Sequence, residues 1–212
     1  MSRTGRESLC AIALLLLCGC AAMPDTGEAL ARDQVRITFE AVPTSAIPAF
    51  SATIRVKSSV SRIMSVLTDF GGWPQWVYRC QQVNILQSIG YTEAYIYQVT
   101  RLPIVRDREV ILHAVILNQS PGQEVVINFE ATPDYCDTSE RLACEGMKTS
   151  KNVRVRELTG SFRIQQITPT EADITWRQHM DPGGNIPAWV VRLIQPNIPV
   201  HSLARLKQLV ES

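Results

Sequence analysis

Apolar and polar residues alternate along eight segments of the chain, and such alternation is typical of β-strands with one buried face. In the last of these segments Ile174, Trp176 and Met180 would point to one side of a sheet and Arg177 to the other. A change of phase near Glu157 predicts a β-bulge in the seventh segment. The predicted strands are residues 35–40, 50–57, 82–87, 94–100, 109–118, 124–132, 153–166 and 171–180.

Two other segments follow the helical period instead. Residues 60–70 carry an apolar stripe at helical spacing, preceded by serines that suit an N-cap and followed by a glycine pair that ends the helix. A longer segment rich in Leu, Ile and Val, residues 187–210, comes directly after the last strand and its glycine turn. Because Pro196 and Pro199 fall inside this segment, we expect a kink or a split there.

The order of these elements is two strands, one helix, six strands and a long helix. Short turn sequences separate consecutive strands, for example at residues 118–122 and 168–170. Consecutive strands joined in this way pair antiparallel. We therefore predict an α+β fold in which the terminal helix lies across a curved antiparallel sheet and leaves room beneath it for an apolar ligand.

The beginning of the chain has the pattern of a bacterial export signal. Arg3 and Arg6 precede an apolar run at residues 9–17, which is too short to span a bilayer because about 20 apolar residues are needed. The run ends in Leu-Cys-Gly-Cys, which resembles a lipobox, the site where a lipoprotein signal is cleaved before a lipidated cysteine, here Cys20. An ordinary secretory signal with chance cysteines is the alternative.

This interpretation divides the chain into three parts. They are a lipoprotein signal peptide (1–19), a flexible tether (20–34) and a folded domain (35–212). The non-acidic Ala21 after the cysteine favours sorting to the outer membrane. We expect a periplasm-facing protein of the bacterial cell envelope, held by an N-terminal lipid anchor.

Charge argues against nucleic acid as a partner. Removal of residues 1–19 takes away Arg3, Arg6 and Glu7, which leaves 19 basic and 19 acidic residues. Nucleic-acid-binding proteins concentrate Lys and Arg instead. The zero formal charge also argues against binding to anionic lipid by bulk attraction.

Three cysteines would remain in the mature chain besides Cys20. Cys136 and Cys144 flank a short polar loop, and in an oxidising periplasm a disulfide between them would add about 2–3 kcal/mol of stability. Two free thiols are the alternative. We interpret Cys80 as a small buried apolar residue, because it has no evident catalytic partner.

The order of elements, together with three stretches of sequence, resembles the START (steroidogenic acute regulatory protein-related lipid transfer) domain of the helix-grip, or Bet v 1-like, superfamily. The stretches are Leu67-Thr68-Asp69 with Trp76; residues 102–110, with Arg108 and Glu109 in the family's Arg-Asp places; and residues 181–189 before the last helix. Two positions depart from the family pattern. Glu109 replaces the usual Asp, and Ala114 stands where animal members often carry a charged cavity residue.

The resemblance implies a lipid-sized cavity between a curved sheet and the C-terminal helix. START domains take up sterols, phospholipids, ceramides or other hydrophobic molecules, and burial of each methylene of such a ligand is favourable by about 0.8 kcal/mol. The helix that contains Pro196 and Pro199 is a candidate gate. Neither a cofactor nor a metal is implied.

Several side chains are candidates for contacts with a ligand: Trp76, Tyr97, Arg108, Trp176, Met180, Trp189, Leu193, Asn197 and His201. Some of these side chains have an alternative role. Trp176 and Met180 could be ordinary core, Tyr97 could stand on the convex surface, and Arg108 could fix a turn. Of the other histidines, we expect His113 to be hydrogen-bonded within the sheet and His179 to be solvated.

Catalytic motifs are lacking. The three histidines have no metal-ligand spacing, and the chain has neither a nucleophile elbow nor a phosphate loop. We therefore expect a non-enzymatic carrier or sequestering protein, with no protein partner identified. The alternatives are an enzyme of the polyketide cyclase or aromatase type, with His113, Arg108, Tyr97 or His201 as its polar groups, and an envelope interaction protein with a vestigial pocket.

Overall fold

A computed structural model describes residues 31–119, 124–137, 142–184 and 186–212. Within these ranges the chain forms nine strands and four α-helices. The strands are β1 (Arg36–Glu40), β2 (Ala49–Val56), β3 (Cys80–Ile89), β4 (Glu93–Thr100), β5 (Arg108–Gln119), β6 (Glu124–Ala131), β7 (Val153–Arg154), β8 (Glu157–Thr168) and β9 (Glu171–Asp181). The helices are α1 (Val60–Leu67), α2 (Trp73–Trp76), α3 (Glu145–Lys148) and α4 (Ala188–Glu211). The predicted signal peptide and Cys20 lie outside the described residues.

All nine strands belong to one sheet, in the order β1-β2-β9-β8-β6-β5-β4-β3 with β7 attached to β5. Every pair along the main path is antiparallel, and only the short β7 runs parallel to its neighbour β5. This curved antiparallel sheet with a long C-terminal helix confirms the predicted helix-grip fold. Strands β1 and β3 form the two edges of the sheet.

The concave face of the sheet carries the main core. On β9, Ala172, Ile174 and Trp176 are buried on this face, as the alternation predicts. Helix α4 packs its C-terminal half onto β2, with Leu203 and Leu206 fully buried. The helix is therefore held along its length by apolar contacts rather than by its ends alone.

Helix α1 closes the same side of the sheet. Its N-cap is Ser59, whose side chain accepts a hydrogen bond from the amide of Arg62 (3.2 Å). The neighbouring Ser58 donates to the carbonyl of Val210 (2.8 Å), which ties the start of α1 to the end of α4. The helix ends at Leu67 rather than at residue 70, and a 3₁₀ turn over Phe70–Gly72 follows it.

Helix α4 runs uninterrupted from Ala188 to Glu211, so of the kink or split expected at Pro196 and Pro199 the split does not occur. Each proline removes one backbone hydrogen bond. Apolar packing on both sides of these positions offsets this loss, through Ile194 before them and Leu203 after them.

The predicted seventh strand is two strands. Val153 and Arg154 pair with β5, and the chain then leaves that partner and joins β6 and β9 from Glu157 onward. The phase change near Glu157 therefore marks a change of partner rather than a bulge. The helical turns α2 and α3 were not predicted, because four residues are too few to show a helical period.

The convex face carries a second, smaller core under residues 135–136 and 144–147. A disulfide joins Cys136 to Cys144, as predicted, and both residues are buried. They pack with Met147 against Tyr97 and Ile111 of the sheet. Tyr135, Cys136, Cys144 and Met147 thus cover the back of strands β3 to β5. None of the helices that the structure describes is long and apolar enough to cross a membrane.

Candidate functional site

A cavity of about 370 Å³ lies between the concave face of the sheet, the segment from α1 to α2, and helix α4. Its wall is mainly aliphatic and aromatic. Side chains of β5, β8 and β9 form the floor, and Val190, Ile194 and Ile198 of α4 form the roof. Those three helix positions are four residues apart, so they share one face of α4.

A series of aromatic rings in contact with one another lines the cavity. Trp176 stacks on Phe162 with ring centroids 5.1 Å apart and meets Phe50 edge-on at 5.3 Å. Trp76 contacts Phe162 at 6.2 Å and Trp73 at 6.0 Å. This arrangement gives the cavity a large, rigid apolar surface at a low cost in side-chain entropy.

Two of these rings bury a polar group. The indole nitrogens of Trp76 and Trp176 are buried and donate no hydrogen bond to any residue that the structure describes. Burial of an unpaired N–H is unfavourable, so such groups are few in folded proteins. The two unpaired N–H groups indicate that the surroundings of the cavity offer few hydrogen-bond acceptors.

Arg108 lies at the end of the cavity next to the start of α4. Its Nε donates to the carbonyl of Pro182 (2.9 Å), one terminal nitrogen donates to Gly183 (2.8 Å), and the other donates to Arg106. Burial is the largest cause that lowers the pKa of Arg108, and the positive charge of Arg106 lowers this pKa further. These contacts support the turn-fixing role, because the guanidinium already serves three carbonyls of the chain.

Glu109 points to the opposite face of β5. Its carboxylate accepts hydrogen bonds from the Tyr97 hydroxyl (2.9 Å) and from Nε of Arg154 (2.8 Å). The pKa of Tyr97 is raised to about 12, mainly by burial and also by the carboxylate of Glu109. This triad joins β4, β5 and β7 on the convex side of the sheet.

Of the nine predicted ligand contacts, the structure brings four together around the cavity: Trp76, Arg108, Trp176 and Met180. Contact between these four and a ligand stays a prediction.

The other five lie elsewhere. Tyr97 belongs to the convex core. Trp189 and Leu193 are both about half exposed (49 %) on the outer side of α4, and Asn197 bonds back to the carbonyl of Leu193. His201 stacks on Tyr78 with ring centroids 4.5 Å apart. Nearly every position in the first turns of α4 is apolar, so the sequence does not indicate which face of this helix turns toward the cavity.

His113, His179 and Cys80 are not among the described residues that line the cavity. His113 bonds to Glu93 (2.8 Å) and stacks on Tyr95, as expected for a satisfied sheet histidine. His179 is half-buried rather than solvated, and its Nε2 is enclosed by the protein. Burial raises the pKa of Cys80 to about 11, which keeps its thiol protonated at neutral pH.

Some cavity residues were missed by sequence reasoning. Phe162 and Phe50 lie directly across the strand pairs from Trp176 and Gln178, and the register that brings them there depends on the whole sheet. The alternation of β8 alone indicates that Phe162 faces inward. Within the described residues no group of three or more His, Cys, Asp or Glu side chains could hold a metal ion.

Comparison with known proteins supports the assignment of the fold. A Pseudomonas aeruginosa protein described as uncharacterized is 24 % identical over 207 residues, which cover 97 % of this chain and 96 % of that one. A crystal structure of a STAR-related lipid transfer protein fragment from Xanthomonas axonopodis superposes with a TM-score of 0.70 at 22 % identity and covers 85 % of this chain and 95 % of that one. Human StAR-related lipid transfer protein 5 gives a TM-score of 0.69 at 15 % identity, with 84 % and 82 % covered.

These likenesses concern the fold, since all the identities are low. The family model for the START domain, however, matches residues 26–212, which is most of the sequence. The START fold supports a domain that binds lipids or other hydrophobic ligands. Together with the sheet, the gripping helix and the apolar cavity, this match shows that the chain belongs to the START domain family.

Proposed function

We propose that this protein binds a hydrophobic small molecule, such as a sterol, a phospholipid or a related lipid, in the cavity and transfers or sequesters it within the bacterial envelope. The observation that supports the proposal most is the cavity itself. Its volume of about 370 Å³ falls in the range of small-molecule sites, and its wall is dominated by apolar side chains. An apolar ligand that enters it leaves water at a gain of about 25 cal/mol per Å² buried.

The polar groups near the cavity favour binding over chemistry. None of the three histidines is among the described residues that line it. Arg108 donates to backbone carbonyls, and Gln195 donates to the carbonyl of Pro48. Both carboxylates among the described lining residues already have partners: Glu93 bonds to His113, and Glu109 bonds to Tyr97 and Arg154. We therefore propose a binding protein rather than a cyclase of the same superfamily.

We also propose that a lipid on Cys20 anchors the domain to a membrane. The lipobox-like sequence supports this anchor. Replacement of Cys20 by Ser should abolish labelling of the protein by radioactive palmitate and prevent cleavage of the signal peptide, which a larger mass on a gel reports. Retention of both labelling and cleavage in the Cys20→Ser variant would contradict the anchor without affecting the binding proposal.

Native mass spectrometry of the purified domain tests ligand binding. We expect a mass adduct that solvent extraction releases as a lipid. The adduct should be lost in Ala114→Trp, which fills the cavity from β5, and retained in Leu117→Trp, since Leu117 lies on the same strand but is 62 % exposed. A wild-type protein that carries no adduct and takes up no lipid from added vesicles would contradict the proposed function.

A further inference from the structure

The described residues that line the cavity differ in exposure from one end to the other. All the exposed ones follow helix α1 or belong to β3 and the β3–β4 hairpin. They are Thr68, Ile85, Ser88, Gly90, Tyr91 and Thr92. The cavity therefore reaches the surface on the side of the edge strand β3.

The opposite end of the cavity is closed. Leu102, Val190 and Ile194 form a buried apolar cluster between the β4–β5 loop and the first turns of α4. Next to them, Arg108 holds the chain before α4 through the carbonyls of Pro182 and Gly183. Opening at this end would separate a packed cluster and break charge-assisted hydrogen bonds of a buried arginine.

Small side chains lead inward from the exposed side. Ser88, Ala94 and Ala114 lie side by side across β3, β4 and β5, in direct cross-strand register on the concave face. Side chains of this size leave room above the sheet, where the neighbouring row has the larger Ile85, Ile96 and Leu112. Ala114 continues this row of small side chains, and the channel above it, onto β5.

The rim of this channel is amphipathic. Ile85 is 51 % exposed and Tyr91 is fully exposed, although both residue types are usually at least partly buried. Ile85 is exposed because β3 is the edge strand and no further strand covers its flank. Between these apolar groups, Ser88 and Thr92 offer hydroxyl groups to the solvent side.

From this asymmetry, and resting on the proposed lipid-binding function, we infer that the ligand enters between residues 68–73 and the β3–β4 hairpin, and not beneath the first turn of α4. The ligand is an amphiphile. Its apolar end passes over Ala94 and Ala114 to the aromatic rings of Trp76 and Trp176, while its polar end stays at the hydroxyl-bearing rim. Helix α4 then forms a fixed wall of the site rather than its gate.

Transfer kinetics of a fluorescent phosphatidylcholine from phosphatidylcholine vesicles test this inference by stopped flow. The variants Ile85→Asp and Tyr91→Asp place a charge on the proposed rim. Ile104→Asp and Trp189→Asp are matched controls, because Ile104 (85 % exposed) and Trp189 lie at the α4 end. All four residues are at the surface, so each variant is expected to fold, as near-ultraviolet circular dichroism can verify.

We expect uptake to slow by about fivefold or more in each rim variant, because a charge on the path disfavours passage of an apolar chain, and to change by less than about twofold in the controls. Uptake that is slowed by Ile104→Asp or Trp189→Asp and not by the rim variants would overturn the inferred portal. Equal rates in all four variants would overturn it too. Lack of uptake by the wild-type protein would instead overturn the proposed function.

Discussion

Phe162 and Trp176 lie directly opposite each other on β8 and β9, and their rings stack with centroids 5.1 Å apart on the floor of the cavity. The same two rings contact Trp76 from the α1–α2 side and Phe50 from β2. Residues far apart in sequence thus build one apolar surface. This surface is both a part of the core and the wall against which a ligand would lie.

Removal of the Trp176 ring should therefore be costly for stability. Trp176 is 5 % exposed, and truncation of a buried Trp typically costs about 3–5 kcal/mol. Trp189→Ala is the matched control, since the same residue type at 49 % exposure should cost less than about 1 kcal/mol. Urea denaturation followed by circular dichroism measures both free energies of unfolding, and equal losses in the two variants would contradict the packing described for Trp176.

Gly160 should not tolerate a side chain. A Cβ atom at this position would lie 2.4 Å from the ring of Phe129 and 2.6 Å from the carbonyl oxygen of Arg177, so the sheet or the ring would have to move. We expect Gly160→Ala to destabilise the domain by roughly 1–3 kcal/mol.

The control for this change is Gly146→Ala in α3. No heavy atom outside the local chain lies within 4 Å of a Cβ there, and alanine is favoured over glycine in a helix by about 0.5–1 kcal/mol. Thermal unfolding of both variants decides the point. If the Gly160→Ala protein is as stable as the Gly146→Ala protein, the close packing of Phe129 against Gly160 is contradicted.

Arg108 should stabilise the turn that leads into α4. In Arg108→Met, the carbonyls of Pro182 and Gly183 lose their donor, and unsatisfied buried groups cost about 1–3 kcal/mol each. Hydrogen exchange should accelerate at the amides of Val190 and Val191, which bond to the carbonyl of Pro187 in the first turn.

Arg106→Met provides the comparison for that experiment, because the Arg106 side chain is exposed and removal of its charge leaves the two carbonyls bonded. Exchange rates at Val190 and Val191 should stay at the wild-type level in this variant. Similar acceleration in both variants would indicate a general effect of charge and not the hydrogen bonds of Arg108.

Alkaline pH should weaken the convex core through Tyr97. Burial and the carboxylate of Glu109 raise the pKa of Tyr97 to about 12, above its unfolded value of about 10. Between these two values the folded state holds a proton that the unfolded state has lost. The stabilising contribution of Tyr97 is therefore complete below about pH 10 and disappears as the pH rises through about 12.

Urea midpoints measured between about pH 9 and pH 11.5 test this dependence. The thiol of Cys80, whose pKa is raised to about 11, titrates in an overlapping range, so the series belongs in a Cys80→Ser background. Tyr97→Phe should be less stable at every pH, but its stability should fall less steeply over this range. The same slope with tyrosine and with phenylalanine would rule out Tyr97 as the source.

Much of the fold was predictable because side chains of a strand alternate between its two faces, so a strand with one buried face has an apolar residue at every second position. The alternation of Ile174, Trp176 and Met180 against Arg177 was sufficient to place β9 and its inward face. The terminal helix was also predictable, because its apolar residues follow a helical pattern on both sides of Pro196 and Pro199. Tertiary packing offsets the local cost of these two prolines, and this part of the result is not contained in the sequence pattern.

Other features depend on contacts that no local pattern contains. Trp189, Val190 and Val191 are consecutive apolar residues, so the sequence could not indicate that only the last two meet the cavity. Tyr97 is buried on the convex side because the disulfide loop covers it, and that contact joins residues far apart in the chain. The half-burial of His179 likewise follows from packing between segments and not from its strand position.

An equilibrium titration of the purified domain with a fluorescent phosphatidylcholine, carried out on wild type, Ala114→Trp and Leu117→Trp, tests whether the ligand lies in the cavity. We predict saturable binding of one lipid per wild-type chain, weakened by at least about tenfold in Ala114→Trp and unchanged in Leu117→Trp. Lack of saturable binding, or an affinity that is indifferent to the side chain at position 114, would contradict a ligand site in this cavity.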